Sequence, residues 1–197
     1  MALGLTGGIA TGKSTAAGYL REFGAEIIDA DNISRQVMRQ DGPAYEDVVA
    51  HFGGEILRED GSIDRKRLGE LVFNDSKQRQ KLEKLTHPYI IERLKNRLAQ
   101  KKYAPRVVAV VPLLYEADLE ELFREVWVIS CSQETQLERL QERNNISRAD
   151  ACQRLSAQLD IKEKEKRADL VIKNDGSREE LRKRIKKAWQ DWLERRR

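Results

Sequence analysis

Two cysteines, Cys131 and Cys152, are all that a chain of 197 residues contains. That is too few for a disulfide framework, and neither stands at metal-ligand spacing from either histidine. A reducing compartment, the cytoplasm, is the expected home. Long apolar runs are missing as well. Nothing approaches the ~20 residues of a membrane-spanning helix, and the N-terminus leads directly into a strand pattern instead of a signal peptide, so no membrane partner is expected. Charge of one sign is not in excess either, with 37 basic against 33 acidic residues. The densest basic runs, Lys162-Glu163-Lys164-Glu165-Lys166-Arg167 and Arg195-Arg196-Arg197, carry no interleaved aromatic residues on which bases could stack. The first alternates in sign like a solvated helix face, and the second suits an exposed helix end. No nucleic-acid partner is expected, whereas the modest positive balance, +4, fits an anionic nucleotide.

Against these absences stands one dense motif. Gly7-Gly8-Ile9-Ala10-Thr11-Gly12-Lys13-Ser14-Thr15 matches the phosphate-binding pattern G-x-x-x-x-G-K-[ST]. An apolar run, Ala2 to Thr6, precedes it as a buried strand, and Thr15 to Phe23 follows as a helix ended by Gly24. The motif needs that context, because successive backbone N–H groups must wrap a polyphosphate at a helix N-terminus. Lys13 then reaches the β- and γ-phosphates, and the Ser14 hydroxyl binds Mg²⁺.

Four further runs read as strands: Glu26 to Ile28, Arg106 to Val111, Val126 to Ser130 and Leu170 to Ile172. Helical patterns separate them, which predicts an α/β fold with a five-stranded parallel sheet. The roughly 75 residues between the second and third strands are too many for an ordinary crossover and predict an inserted helical subdomain. Within it, Pro43 to Phe52 reads as one helix, Asp64 caps Arg65 to Phe73, Ser76 to Leu85 is a third, and Pro88 opens a fourth that runs to Lys101. Glu134 to Lys166 reads as a charged helical hairpin turning at Asn144-Asn145. The last helix starts at Ser177 with Glu180 as its capping partner, and its stripe of Leu181, Ile185, Ala188, Trp189 and Trp192 reads as core. A chain of this size forms one domain burying about 70% of its unfolded surface.

A phosphate loop alone does not separate kinases, switches and motors. The chain has no D-x-x-G after the loop and no N-K-x-D or T-K-x-D for guanine, and its third strand ends in Pro112 where a motor carries an acidic residue. A small-molecule kinase leads, with a nucleotide-dependent binding module as the alternative from another class. The second strand ends in Asp29-Ala30-Asp31, at the sheet edge where ligands collect. Two carboxylates there can serve as acceptor base and metal-water ligand, and one of them can also cap a helix over Asn32 to Met38. Asp31 is the favoured base, an effect typically worth about 10²–10⁴-fold. Arg139 and Arg143, four apart on the hairpin, can close over ATP as a lid or pair with Glu138 and Glu142 on its surface.

With these residues assembled, the chain resembles the dephospho-CoA kinase family from end to end. The resemblance rests on Leu5-Thr6-Gly7-Gly8-Ile9-Ala10-Thr11-Gly12-Lys13-Ser14, on Asp29-Ala30-Asp31 with Arg35 a turn later, and on Thr86-His87-Pro88. Pro112-Leu113-Leu114-Tyr115-Glu116, Arg139-Leu140 with Arg143, Gln158 and Asn174-Asp175-Gly176 complete it. Ala10-Thr11 departs from the Gly-Ser common at that point of the loop, a change expected to leave phosphate binding intact. The resemblance implies that ATP phosphorylates the ribose 3′-hydroxyl of dephospho-CoA, the last step of CoA synthesis. It implies a P-loop core at about 1–31, 106–133 and 167–197, an acceptor-binding helical subdomain at about 32–105, and a lid at about 134–166. Gly8, Ala10, Thr11, Gly12, Lys13, Ser14, Thr15, Arg139, Arg143 and Asn174 are then ATP-binding, with Mg²⁺ at Ser14. Asp31, Lys13 and Arg139 are catalytic, and Asp29, Asp31, Arg35, His87, Leu114 and Glu116 border the acceptor. A monomer is expected.

Overall fold

The computed structural model of the protein describes residues 2–102 and 104–195, so Arg196 and Arg197 of the terminal basic run lie outside the described residues. Along the chain run β1 (Leu3–Gly7), α1 (Lys13–Glu22), β2 (Glu26–Asp29), α2 (Ala30–Val37), α3 (Tyr45–Phe52), α4 (Arg65–Asn74) and α5 (Ser76–Gln100). There follow β3 (Val107–Val110), β4 (Glu125–Ser130), α6 (Gln133–Asn144), α7 (Arg148–Ser156), α8 (Ile161–Arg167), β5 (Leu170–Lys173) and α9 (Arg178–Glu194). No helix among the described residues is long and apolar enough to cross a membrane. The chain divides into two compact units, one of residues Met1–Asp29 and Lys101–Arg197, the other Ala30–Gln100.

The first unit is built on a five-stranded sheet in the order β2-β3-β1-β4-β5, every pairing parallel. Its three inner strands are buried on both faces, which is why they read as near-continuous apolar runs. On one face Leu3, Leu5, Val108, Val110, Trp127, Ile129 and Ile172 meet Ala16, Ala17 and Leu20 of α1 and Leu181, Ile185, Trp189 and Trp192 of α9. The two α9 indoles stack with ring centroids 4.9 Å apart, and Trp189 donates its N–H to the Phe23 carbonyl at 3.2 Å. They are core anchors. On the other face β1 is covered so closely that a Cβ on Gly4 would stand 3.0 Å from Phe123 and 3.1 Å from Leu114. Ser177 and Glu180 form the expected capping box at the start of α9.

The second unit is helical. Asp64 caps α4, accepting from the backbone of Lys66 and Arg67 at 2.9 and 3.2 Å. Here the structure corrects one expectation. Ser76 to Leu85 and the segment opened by Pro88 are a single helix of 25 residues, with Pro88 and His87 inside it. Asp75 supplies the start signal, accepting from the N–H groups of Lys77 and Gln78 at 2.7 and 3.3 Å. Beside the proline, Thr86 turns its hydroxyl back to the Leu82 carbonyl at 2.8 Å. Proline forfeits one i→i−4 bond, but it does not supply a cap.

A second correction concerns the alternating run Lys162 to Arg167, read above as a solvated face. It is α8, and Lys164 within it is fully buried. The hairpin itself turns at Asn145, whose φ of 49° is left-handed, and α7 restarts at the Ser147 cap. Its return arm is broken between α7 and α8.

Candidate active site

The phosphate loop joins β1 to α1 through three left-handed or otherwise glycine-favouring positions: Gly7 (φ 150°), Ala10 (φ 60°) and Gly12 (φ 94°). At Gly7 a side chain would collide with the backbone carbonyl of Ile129 on the neighbouring strand, a contact that nothing can relieve. The loop closes on itself through the Thr11 hydroxyl, which is buried and donates to the Gly8 carbonyl at 2.9 Å. Lys13 sits at the first turn of α1, and its ammonium donates to the carbonyls of Gly7 and Gly8 at 2.8 and 2.6 Å. The positive charge is thereby held over the concave side of the loop, at the positive end of the α1 dipole. Ser14 follows with its residue exposed.

Three side-chain amides from the second half of the chain grip this loop. Gln158 accepts from the Ile9 N–H at 2.8 Å, Gln136 donates to the Ile9 carbonyl at 2.6 Å, and buried Asn174 donates to the Thr11 carbonyl at 2.8 Å. Ile9 and Ala10 also pack on a small hairpin core of Leu137, Leu140 and Ala151. The hairpin is tied across by a bidentate pair, Arg148 to Glu134, with both contacts at 2.7 Å. Asn174 therefore supports the loop backbone, and Asp175 beside it accepts from the Ser132 N–H at 2.6 Å at the head of α6.

Arg139 is half-buried on α6. Its position is marked by Cys131 at the end of β4, whose thiol is pushed up to about 11 by burial and feels the positive charges of Arg139, Lys173 and Lys13. Arg139 and Lys13 thus share one end of the sheet. Arg143 lies a turn further out, exposed, with its guanidinium donating to Asn144 at 2.9 Å. A cavity of about 690 Å³ opens on the hairpin side of the loop, lined by Gly8, Ile9, Gln136, Gln158, Lys173 and Asp175 among others.

The acceptor residues named from the sequence divide between the units. Asp29 ends β2, opposite Val110 in register, and is exposed. Leu114 is corrected: it is wholly buried beneath β1, so its side chain is part of the core and not a lining group. Glu116 is engaged by Lys164 at 2.7 Å and by the Leu159 N–H at 3.1 Å. In the helical unit, Asp31 sits in the first turn of α2, where a carboxylate suits the dipole, and Arg35 in its last. His87 is half-buried in α5. Sequence reasoning missed Arg65, the first residue of α4. Although the residue is exposed, partial desolvation of its guanidinium and the like charge of Arg35 lower its pKa, against the opposing pull of Asp31, which puts the three in one electrostatic neighbourhood. It missed Gln136 and Lys164 too. Gln136 could have been found three residues before Arg139 on the same helix, while nothing in an alternating charge run singles out Lys164.

Comparison with known proteins agrees with this geometry. A family profile described as dephospho-CoA kinase matches residues 1–180. The chain is 45% identical over 188 residues to a dephospho-CoA kinase of Thermosynechococcus vestitus, covering 95% of this chain and 92% of that one. It is 44% identical over 189 residues to one of Geobacter sulfurreducens, covering 95% and 96%. Among solved structures, dephospho-CoA kinase from Campylobacter jejuni superposes with a TM-score of 0.73 at 33% identity, covering 100% of this chain and 98% of that one. A shikimate kinase from Acinetobacter baumannii, at 17% identity and a TM-score of 0.57, shares the fold over 98% of this chain and 93% of its own. A phosphate loop gripped by a hairpin, on a parallel sheet carrying a helical insertion, thus comes with sequence similarity over nearly the whole length: the chain belongs to the dephospho-CoA kinase family.

Proposed function

We propose that this protein transfers the γ-phosphoryl group of ATP to the ribose 3′-hydroxyl of dephospho-CoA, giving CoA and ADP, as the final step of CoA synthesis in the cytoplasm. The observation that carries the reading is the joint placement of Lys13 over the phosphate loop and Arg139 at the same end of the sheet. Phosphoryl transfer asks mainly for positioning and for cations around the charge on the equatorial oxygens. Gly8 and Ala10 to Thr15 cradle the phosphates, with Arg143 completing the nucleotide site and Asn174 acting on it indirectly, through the loop carbonyl that it holds. Lys13 and Arg139 clamp the transferring group, and an arginine in such a role is worth about 10³–10⁵-fold in rate.

Asp31 takes the proton of the 3′-hydroxyl, with Asp29 in support. The new O3′–P bond forms as the bond from Pγ to the β,γ-bridging oxygen breaks, and ADP leaves with that oxygen. Asp29, Arg35, His87 and Glu116 border the acceptor, and Arg65 beside Arg35 adds a second cation suited to its anionic groups. Mg²⁺ fits this donor set. The exposed Ser14 residue offers one hard oxygen, and among the described residues no three His, Cys, Asp or Glu cluster into an all-protein cage. An ion held mostly by nucleotide phosphates and water matches that pattern. When bound, it neutralises phosphate charge.

The test is ADP release from Mg·ATP with dephospho-CoA, against adenosine, AMP and no acceptor, with product mass measured. Dephospho-CoA-dependent ADP and a product one phosphate heavier support the reading, and ADP appearing with adenosine or AMP instead overturns the substrate. In the same assay Asp31→Asn is expected to lose about 10²–10⁴-fold in turnover while still binding ATP. Turnover close to wild type in that variant removes Asp31 as the base. Lys13→Ala should impair ATP use as a whole.

A further inference from the structure

Lys164 is a fully buried lysine in a helix of only seven residues. Its ammonium lies 2.7 Å from Glu116 Oε1 and donates to the Pro112 carbonyl at 3.1 Å. The same Glu116 oxygen accepts from the Leu159 N–H at 3.1 Å, and the Pro112 carbonyl also accepts from the Thr6 hydroxyl at 3.2 Å. Stability does not call for such an arrangement, because a well-packed apolar side chain usually serves a core as well as a desolvated ion pair. What the pair does is geometric. It fastens both ends of the segment 159–164 to the loop that follows β3, and the residue just before that segment is Gln158, which holds the Ile9 N–H at 2.8 Å.

We infer that Lys164 and Gln158 are positioning residues for phosphoryl transfer. Lys164, through Glu116, holds the break between α7 and α8 in place, and Gln158 passes that constraint to the first turn of the phosphate loop. Gln136 completes the grip by taking the carbonyl of the same residue from α6 at 2.6 Å. Both arms of the hairpin thus grip Ile9, and the loop's shape depends on how the return arm is seated. The run of alternating charge conceals this role, because the buried Lys164 is chemically identical to the exposed Lys162 and Lys166 on either side of it. The inference rests on the phosphoryl-transfer reading above.

The test uses the full chain with Mg·ATP and whichever acceptor the wild type phosphorylates, so failure of dephospho-CoA as substrate does not disguise failure of the relay. A displacement of about 1 Å in a transfer site can cost ~10²-fold. Lys164→Met and Gln158→Leu are therefore expected to lower kcat 10- to 100-fold, with the equilibrium Kd for ATP changing less than about threefold. Lys164→Met leaves the Glu116 carboxylate without its cation and should also lower Tm. Gln158→Leu leaves the Lys164–Glu116 pair intact, so its Tm should stay within about 2 °C of wild type while kcat still falls. A kcat loss in Lys164→Met that disappears when the assay is run well below its lowered Tm would make the pair merely structural and overturn the inference. Because both residues act through one constraint, Lys164→Met/Gln158→Leu should be no slower than the slower single variant. Additive losses would refute the relay. Gln158→Leu carries no buried charge, and wild-type kcat in that variant alone would also refute it.

Discussion

Ala10 is the residue at which this phosphate loop is strained. Its φ of 60° puts an L side chain in the left-handed region, at a cost of about 1–2 kcal/mol relative to glycine. Its methyl packs on the hairpin core, which offsets part of that cost. Ala10→Gly should therefore melt within about 2 °C of wild type or slightly above it, the released strain roughly balancing lost packing and the added freedom of the unfolded chain. Ala10→Val, β-branched at the same φ, should melt several degrees lower. A valine variant as stable as wild type would mean that the loop does not need this conformation. The departure from Gly-Ser noted in the sequence is thus tolerated locally, by a residue small enough to take a glycine's backbone.

Among the elements, the clearest start signal is the capping box of α9. Ser177 accepts from the Glu180 N–H at 3.2 Å, and Glu180 returns to the Ser177 N–H at 2.8 Å. Ser177→Ala should cost about 1 kcal/mol, or roughly 2–4 °C in Tm for a chain of this size, and Ser177→Asp should restore most of it. Caps, glycines and apolar runs are local signals, which is why the five strands, α4, α9 and the hairpin turn could be read from the sequence to within a residue or two. α5 defeats the sequence reading because a proline resembles a helix start, although Asp75 caps the helix thirteen residues earlier and no further cap stands at Pro88. The phosphate loop with Lys13, and Asp29 at the end of β2, could be placed because motif and strand-end position are properties of the sequence, whereas Asp31 lies one step on, in the first turn of α2. Leu114, Lys164 and Arg65 could not be placed, because burial and neighbourhood depend on which distant segments pack together. Lys164 meets Pro112 across fifty-two positions of chain.

For the molecule as a whole, the buried titratable groups set an alkaline limit. The Cys131 thiol is raised from 9.0 to about 11, chiefly by burial. The Tyr115 hydroxyl is raised from 10.0 to about 12, first by burial and then by Asp169, against Arg167. Both groups are held protonated by the fold, so the folded state binds more protons than the unfolded one. Their contribution is complete below pH 9 and is lost between 9 and 11 for the cysteine and between 10 and 12 for the tyrosine. Tm is expected to fall as pH rises past 9, and Cys131→Ala should flatten the first part of that decline even if its Tm is lower throughout. An unchanged slope in that variant would assign the decline to other groups.

The insertion of Ala30–Gln100 leaves the sheet at β2 and rejoins it at β3, and these strands are hydrogen-bonded neighbours, with Glu26 opposite Val107 and Lys101 paired to Glu26 at 2.9 Å. Because the two strands run parallel, the chain leaves at the C-terminal end of β2 and must re-enter at the N-terminal end of β3, so the insertion begins and ends at opposite ends of the pair. A foreign module spliced between Asp29 and Lys101 would therefore have to span the length of the strand, ~10 Å or more, to keep the register. Any element with that reach would serve, which makes this crossover a tolerant place for exchange.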